Sequence, residues 1–355
     1  MNVLTRYIVT EVIKGSIVAV LVLLSLLTFF SFADELGDLG QGDYGLREIF
    51  QYLILALPQG GYDLMPSAAL LGGIIVLGNL ANNRELVAMQ AAGVSRARII
   101  GSVLLGGLLL GAVAGLIGEY IAPATERASQ SLKSMALKEQ VASQTKYGFW
   151  VRDGEVYINI RRVTDQSHLG DISIYELDDR RGLQRASHAR RATYEQGSWN
   201  LADIRSTRLR GGEVSAGEQA AEKWDSILAP DLLQVFVFRP ENLSGSELTR
   251  YIRYLQDNGQ DDRSASISLW ERIVNPLLIL TMLLLSLPFV LGVGRDASFG
   301  QRVVIGVTIG LGFYLFNRMF SHFGLIYQMD PVFAATFPTA LVLCAALLSL
   351  VRVVR

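Results

Sequence analysis

Five ionisable residues fall in or beside long apolar stretches of this sequence: Asp63, Glu119, Glu271, Arg272 and Arg318. Charge at bilayer depth is costly, so such groups pair, line a water-filled path or meet a charged ligand. All but Asp63 lie close enough to the end of a stretch to reach an interface. One deep carboxylate does not make a proton relay, and the sequence assigns no charge pairs. Elsewhere chemistry is sparse. There is no GxSxG nucleophile turn, no HExxH metal helix and no framed pair of carboxylates. His168 and His188 stand in charged, polar surroundings without a second ligand at metal spacing and read as surface residues. Cys344, the only cysteine, reads as a small buried apolar residue. No catalytic and no metal-binding residue is expected, and neither the net charge of -1 nor its placement supplies the basic face of a nucleic-acid binder.

The second chemically suggestive stretch is the run Asn82 to Arg96. Glu85 to Ala92 has a short helical pattern with Leu86 and Met89 on one face, Gly93 can supply a left-handed end, and Ser95 can cap the next helix. About two turns of helix are unstable alone in water, so this helix needs a surface to lie on. Two readings stand: an interfacial helix with no partner, or a docking helix pushed by a cytosolic motor, with Glu85 at its polar edge. A motor must come from another chain. Nothing here matches GxxxxGK[ST], and the glycines of Gly292 to Gly300 lack the lysine and read as turn residues.

The elements that must hold these residues are membrane helices. The chain is 50% hydrophobic, and 15–33 and 276–294 carry no Asp, Glu, Lys or Arg. A span needs about 20 mainly apolar residues. Six segments qualify, near 12–32, 56–78, 99–121, 273–292, 303–320 and 332–351. The first is too long for a signal-peptide core and is followed by five others, so it reads as an uncleaved helix. Small-residue spacing in the second and third spans points to close helix contacts. Arg6, Lys14, Arg84, Arg96, Arg98, Arg295, Arg302, Arg352 and Arg355 gather on one side, against Arg47 alone in the short loops opposite. This bias places both termini in the cytoplasm. Residues 1–121 then form three spans with the short helix at 82–93, 122–268 an inserted domain on the far side, and 269–355 three further spans.

The inserted domain reads as antiparallel β. Val156, Ile158 and Ile160, then Ile172 and Ile174, alternate with other side chains, and turn signals recur at Asp153-Gly154, Asp178-Asp179, Gln196-Gly197 and Gly211-Gly212. Leu233 to Phe238 is a further strand candidate. Trp150, Trp199 and Trp224 are expected to anchor the β core. Ser244 to Glu247 fits a capping box that opens a helix with Leu248, Tyr251, Ile252 and Leu255 along one stripe.

Several runs resemble the LptF/LptG family of lipopolysaccharide export permeases over nearly the whole chain. They are Arg6-Tyr7-Ile8, Arg84 to Ser95 (RELVAMQAAGVS), Asn275-Pro276, Leu287-Pro288-Phe289, Ser298 to Arg302 (SFGQR) and Phe313 to Arg318 (FYLFNR). The second and last favour the G branch over the F branch. The resemblance implies a half-transporter in the inner membrane: six transmembrane helices with an inserted periplasmic antiparallel β domain, jellyroll-like. It implies an LptF-like permease partner, two copies of an LptB-like ATPase, an LptC-like single-span protein and an LptA-like periplasmic bridge. ATP and magnesium would belong to the ATPase, with no cofactor in this chain. The coupling helix would use Arg84, Glu85, Leu86, Met89 and Gly93. Spans one and five would line the lipid cavity through Leu24, Leu27, Phe30, Phe32, Phe313, Phe316, Arg318 and Phe320. Where family members place basic residues after span one, this sequence has Ala33-Asp34-Glu35, with Asp38 and Asp43 beyond. That leaves Arg318, Arg47, the partner subunit or divalent ions to meet lipid phosphates. A permease for another envelope lipid or lipoprotein, or a non-transporting scaffold, are the alternative readings.

Overall fold

A computed structural model describes residues 3–137, 148–165, 167–178, 182–195, 197–210, 213–224, 239–291 and 298–354. The chain divides into two compact units, one of residues 1–37, 53–126 and 263–355, the other of 38–52 and 127–262. The long helices are α1 (Val3–Glu35), α2 (Leu46–Asn82), α4 (Arg96–Leu116), α7 (Arg263–Leu291), α8 (Phe299–Ile326) and α9 (Pro331–Val354). Each contains a window long and apolar enough to cross a membrane, so the six expected spans are present. Shorter helices are α3 (Glu85–Ala91), α5 (Ala122–Ala136) and α6 (Gly245–Asp257).

Lipid offers no hydrophobic drive for helix association, so contact depends on surfaces shaped for close approach. Span two supplies most of that shape. A Cβ built on Gly72 would lie 2.5 Å from Ser16 N, and one on Gly15 would lie 2.2 Å from Val76 Cγ2, so α1 and α2 meet almost backbone to backbone. Gly73 opens toward Leu283 and Ser286 of α7, and Gly118 faces the Tyr62 ring. Gly306 and Gly310 of α8 lie on Leu71 and Ser67. Burial follows: 67% of the most apolar window of span two is buried inside the chain, against 11% for spans one and five. The second span is the most buried of the six.

Between α4 and α5 the helix widens into one π turn, Ile117–Ile121. Such a turn breaks the regular ladder and frees backbone groups. Here the Gly118 carbonyl accepts a hydrogen bond from Arg272 Nη1, and the Arg272 guanidinium stands 5.7 Å from the Tyr62 ring centroid.

In the other unit, β1 (Phe149–Asp153), β2 (Val156–Asp165), β3 (His168–Leu177), β4 (Leu183–Glu195), β5 (Ser198–Arg210) and β6 (Glu213–Trp224) form one sheet in consecutive antiparallel order. The expected turns at Gly154 and Gly197 occur with positive φ (61° and 86°), a backbone state glycine adopts without steric cost. Ile160, Ile172, Ala189 and Ile204 stand level across four strands and are all buried, which makes the alternation a core row. Of the three tryptophans, Trp199 is fully buried against Tyr194, and Trp224 is half-buried. Trp150 departs from expectation: it is 55% exposed, stacked on Tyr175 on the outer face. The strand candidate Leu233 to Phe238 lies outside the described residues.

The sheet is curled. Arg185 of β4 donates to both carboxylate oxygens of Glu222 in β6, yet Glu222 stands level with Leu201 and hence Ala192, seven residues along the strand from Arg185. On a flat sheet that offset is about 23 Å, beyond the reach of the two side chains, so the strands must bend back over one another. Within the stretch that must bend, Asp171 of β3 and Asp203 of β5 take positive φ (51° and 55°). The capping box at Ser244 is present with both hydrogen bonds, and Leu248, Tyr254 and Leu255 of α6 are buried. Burial acts to raise the Glu247 carboxyl, but hydrogen bonds from Ser244 and the Arg127 charge hold it below its ordinary value. Tyr254, whose hydroxyl both accepts from Arg152 N and donates to Arg152 O, is pushed up to about 12 by burial.

Gly61 and Gly72 predict opposite signs within one helix. Nothing lies within 4 Å of a Cβ at Gly61, so Gly61→Ala is expected to raise thermal stability in detergent by up to about 1 kcal/mol through helix propensity. Gly72→Ala drives a methyl into the α1 backbone and is expected to lower it; equal effects would contradict the close approach. In the β unit, hydrogen bonds from Arg185 hold Glu222 below its ordinary value of 4.5. A depressed carboxylate contributes stability above its unfolded pKa and loses it as pH falls through the folded one. Intrinsic-rate-corrected hydrogen exchange should therefore show β4 and β6 losing protection between about pH 6 and about pH 3. Arg185→Leu should be less protected at the upper pH and change less on acidification, whereas parallel pH responses would contradict the assignment.

Candidate functional site

The candidate docking segment is built from the end of α2. After Asn82 the chain reverses through Arg84, which takes left-handed backbone angles (φ 59°) and precedes α3. A non-glycine residue in this region is held there by its surroundings. At the other end Gly93 (φ 86°) closes a Schellman motif: Gly93 N donates to Gln90 O and Val94 N to Met89 O, both at 3.0 Å. Ser95 Oγ then caps α4 by accepting from Arg98 N.

The orientation of α3 differs from the simplest reading of its stripe. Leu86 is 4% exposed and shares a buried cluster with Ile8, Val12, Leu80, Ile99 and Val103, and Met89 and Val94 pack against the same cluster. Both apolar residues expected at a partner surface instead seat the helix on its own bundle. The face left open carries Arg84, Val87, Ala88, Ala91, Ala92 and Gly93. Glu85 is half-buried, and its Oε2 accepts from the Tyr7 hydroxyl at 2.8 Å.

The expected cavity residues divide in two. On span one, Phe30 is 58% and Leu27 42% exposed, whereas Leu24 and Phe32 are half-buried. Leu24 Cδ1 and Leu27 Cδ2 reach over Gly60 of span two. The open face also holds Leu21, Val22, Leu26 and Phe29. On span five, Phe313 turns inward, 8% exposed among Leu70, Ile74, Leu278, Met282 and Val342. Phe316 is 37% exposed, and Phe320 joins it in an aromatic cluster with Phe333 and Phe337 of α9, the last stacked at 4.9 Å. Leu315 and Met319 are more open than any of these phenylalanines. Cys344 is exposed on the bundle, not buried as expected; on a lipid-facing helix a thiol fits either side.

The ionisable set is more connected than its positions suggest. Glu271 accepts from buried Ser321 Oγ, and Arg272 is bonded as described above. Gln59 Nε2 donates to Asp63 Oδ1 at 3.1 Å, and Asp63 interacts electrostatically with Arg318 and Arg272. Arg318 is exposed. After span one, Glu35 is buried, and Asp38 is paired with Lys133 at 3.0 Å, whose ammonium also lies over the rings of Tyr44 and Tyr52.

Comparison with known proteins agrees with this construction. The family profile "Lipopolysaccharide export system permease LptF/LptG" matches residues 6–352. A lipopolysaccharide export system permease protein LptG of Haemophilus influenzae is 32% identical over 342 residues, covering 96% of each chain. Its counterpart in Escherichia coli strain K12 is 33% identical, covering 96% of this chain and 95% of the relative. Six spans with an inserted antiparallel β domain are the topology of a multi-pass inner-membrane permease whose β domain lies in the periplasm. On that architecture and a match spanning almost its full length, the chain belongs to the LptF/LptG family of lipopolysaccharide export permeases.

Proposed function

We propose that this chain is a G-type half of an exporter that draws lipopolysaccharide from the inner membrane and passes it to a periplasmic bridge. The observation that carries the reading is the unequal burial of the spans. Spans one and five keep 11% of their apolar windows buried inside the chain, although all six belong to one bundle. Two largely uncovered apolar helices suit a cavity wall completed by a second, F-type permease. Both termini and α3 would face the cytoplasm, where the open face of α3 meets one of two ATPase subunits. A single-span LptC-like protein and an LptA-like bridge would continue the path.

The physics of extraction fits such a wall. Removing an acyl chain from the bilayer costs about 0.8 kcal/mol per CH₂. An apolar cavity offsets part of that cost, and nucleotide hydrolysis in the partner supplies direction. On this reading Leu27, Phe30 and Phe316 contact acyl chains with Leu24, Phe32 and Phe320 behind them, Phe313 fixes span five to the core, and Arg318 meets phosphate. Attraction to the Asp63 carboxylate keeps Arg318 oriented while cargo is absent.

A photo-crosslinking amino acid at Phe30 or Phe316 is expected to capture lipopolysaccharide in cells, and one at Phe313 is not. Capture of phospholipid alone at the first two positions would contradict the cargo assignment.

A further inference from the structure

The docking segment is held by more than its own helix needs. Seven residues of α3 are already seated by Leu86 and Met89. Two side-chain bonds then tie the segment to two particular spans. The Tyr7 hydroxyl of span one donates to Glu85 Oε2 across 78 residues. At the start of span five, Arg302 is 3% exposed and its Nη2 donates to Asn82 Oδ1 at 2.7 Å. That guanidinium occupies the space left by Gly78, where a Cβ would lie 2.4 Å from Nη1. Asn82, the last residue of α2, and Glu85, the first of α3, flank the left-handed residue Arg84.

The spans chosen are the informative part. Spans one and five are the two left most uncovered, yet span one has a polar tether to α3 and span five has one to Asn82, the last residue of α2. The exposed bond from Tyr7 adds little net stability. Its mechanical effect is larger, because a directional bond resists sliding where apolar packing permits it. Coupling between distant sites requires an element whose arrangement both sites bias; the first bond joins α3 to span one directly, and the second joins span five to α2 three residues before α3 begins.

We infer that Tyr7 and Arg302 are positioning residues of the transport cycle: through Glu85 and Asn82 they convert displacement of the docking helix into displacement of spans one and five. The inference rests on the proposed docking of an ATPase to α3, and the test separates the two. The assembled exporter, with both permeases and the ATPase, is reconstituted in proteoliposomes, and lipopolysaccharide release and ATP hydrolysis are measured together. Tyr7 and Asn82 are both exposed, so neither Tyr7→Phe nor Asn82→Ala truncates a buried side chain. Each is expected to keep the ATPase bound and hydrolysing within about twofold, while release per ATP falls roughly threefold to tenfold, the scale of one ordinary net hydrogen bond. Asn82→Asp retains an acceptor for Arg302 and is expected to restore coupling. Unchanged release per ATP in Tyr7→Phe overturns the span-one linkage, and in Asn82→Ala the span-five linkage. Loss of bound ATPase in either variant also overturns it, since the residue would then serve docking alone. Val87→Glu, on the open face, addresses the docking reading itself: it should release the ATPase, and an ATPase retained there would refute docking whatever Tyr7→Phe shows.

Discussion

Spans one and two touch at Gly15 and Gly72 with no room for a Cβ on either, and the bundle is organised around that contact. In lipid, dispersion between closely matched surfaces replaces the hydrophobic drive, and its strength falls quickly with a small gap. Span two presents such surfaces to spans one, three, four and five, through Gly72, Tyr62, Gly73 and Leu71 in turn. Because these spans rest on one central helix, spans one and five need only one side for attachment. Their remaining surface stays open, and the proposed export function uses that surface.

The same helix leads directly into the cytoplasmic segment. A short amphipathic helix must spend its apolar side on something, and α3 spends Leu86 and Met89 on its own bundle. What remains for another protein is a small, shallow face of Arg84, Val87 and alanines. Such a face favours a partner groove that admits the helix backbone closely over one that reads long side chains. The bond between Tyr7 and Glu85 gives the first conspicuous sequence run, Arg6-Tyr7-Ile8, a structural partner.

Much of this was legible in the residues, for reasons that are local. Charge-free blocks locate spans because lipid tolerates few alternatives. Alternation at Ile158, Ile160, Ile172 and Ile174 locates strands, and the signals at Ser95, Gly93 and Ser244 were read correctly because a cap is satisfied within four residues. The rest depended on tertiary partners. Periodicity shows that Leu86 and Met89 share a face but not what covers it, and it cannot tell inward Phe313 from outward Phe316 on a helix apolar all round. No pattern foretells the π turn at Ile117–Ile121, since only the position of Arg272 gives the freed Gly118 carbonyl its partner. Residue type alone does not place Trp150; its register opposite Asn159 and its stacking on Tyr175 put it on the outer face.

The central claim is that this chain forms one half of a lipid exporter driven from outside itself. Native mass spectrometry of the chain purified from its own membrane in mild detergent tests that claim most directly. The account predicts one copy of this chain with one second permease, two ATPase subunits and bound lipopolysaccharide. A monomer or homodimer free of both ATPase and lipopolysaccharide, under conditions that keep the spans folded, would contradict it.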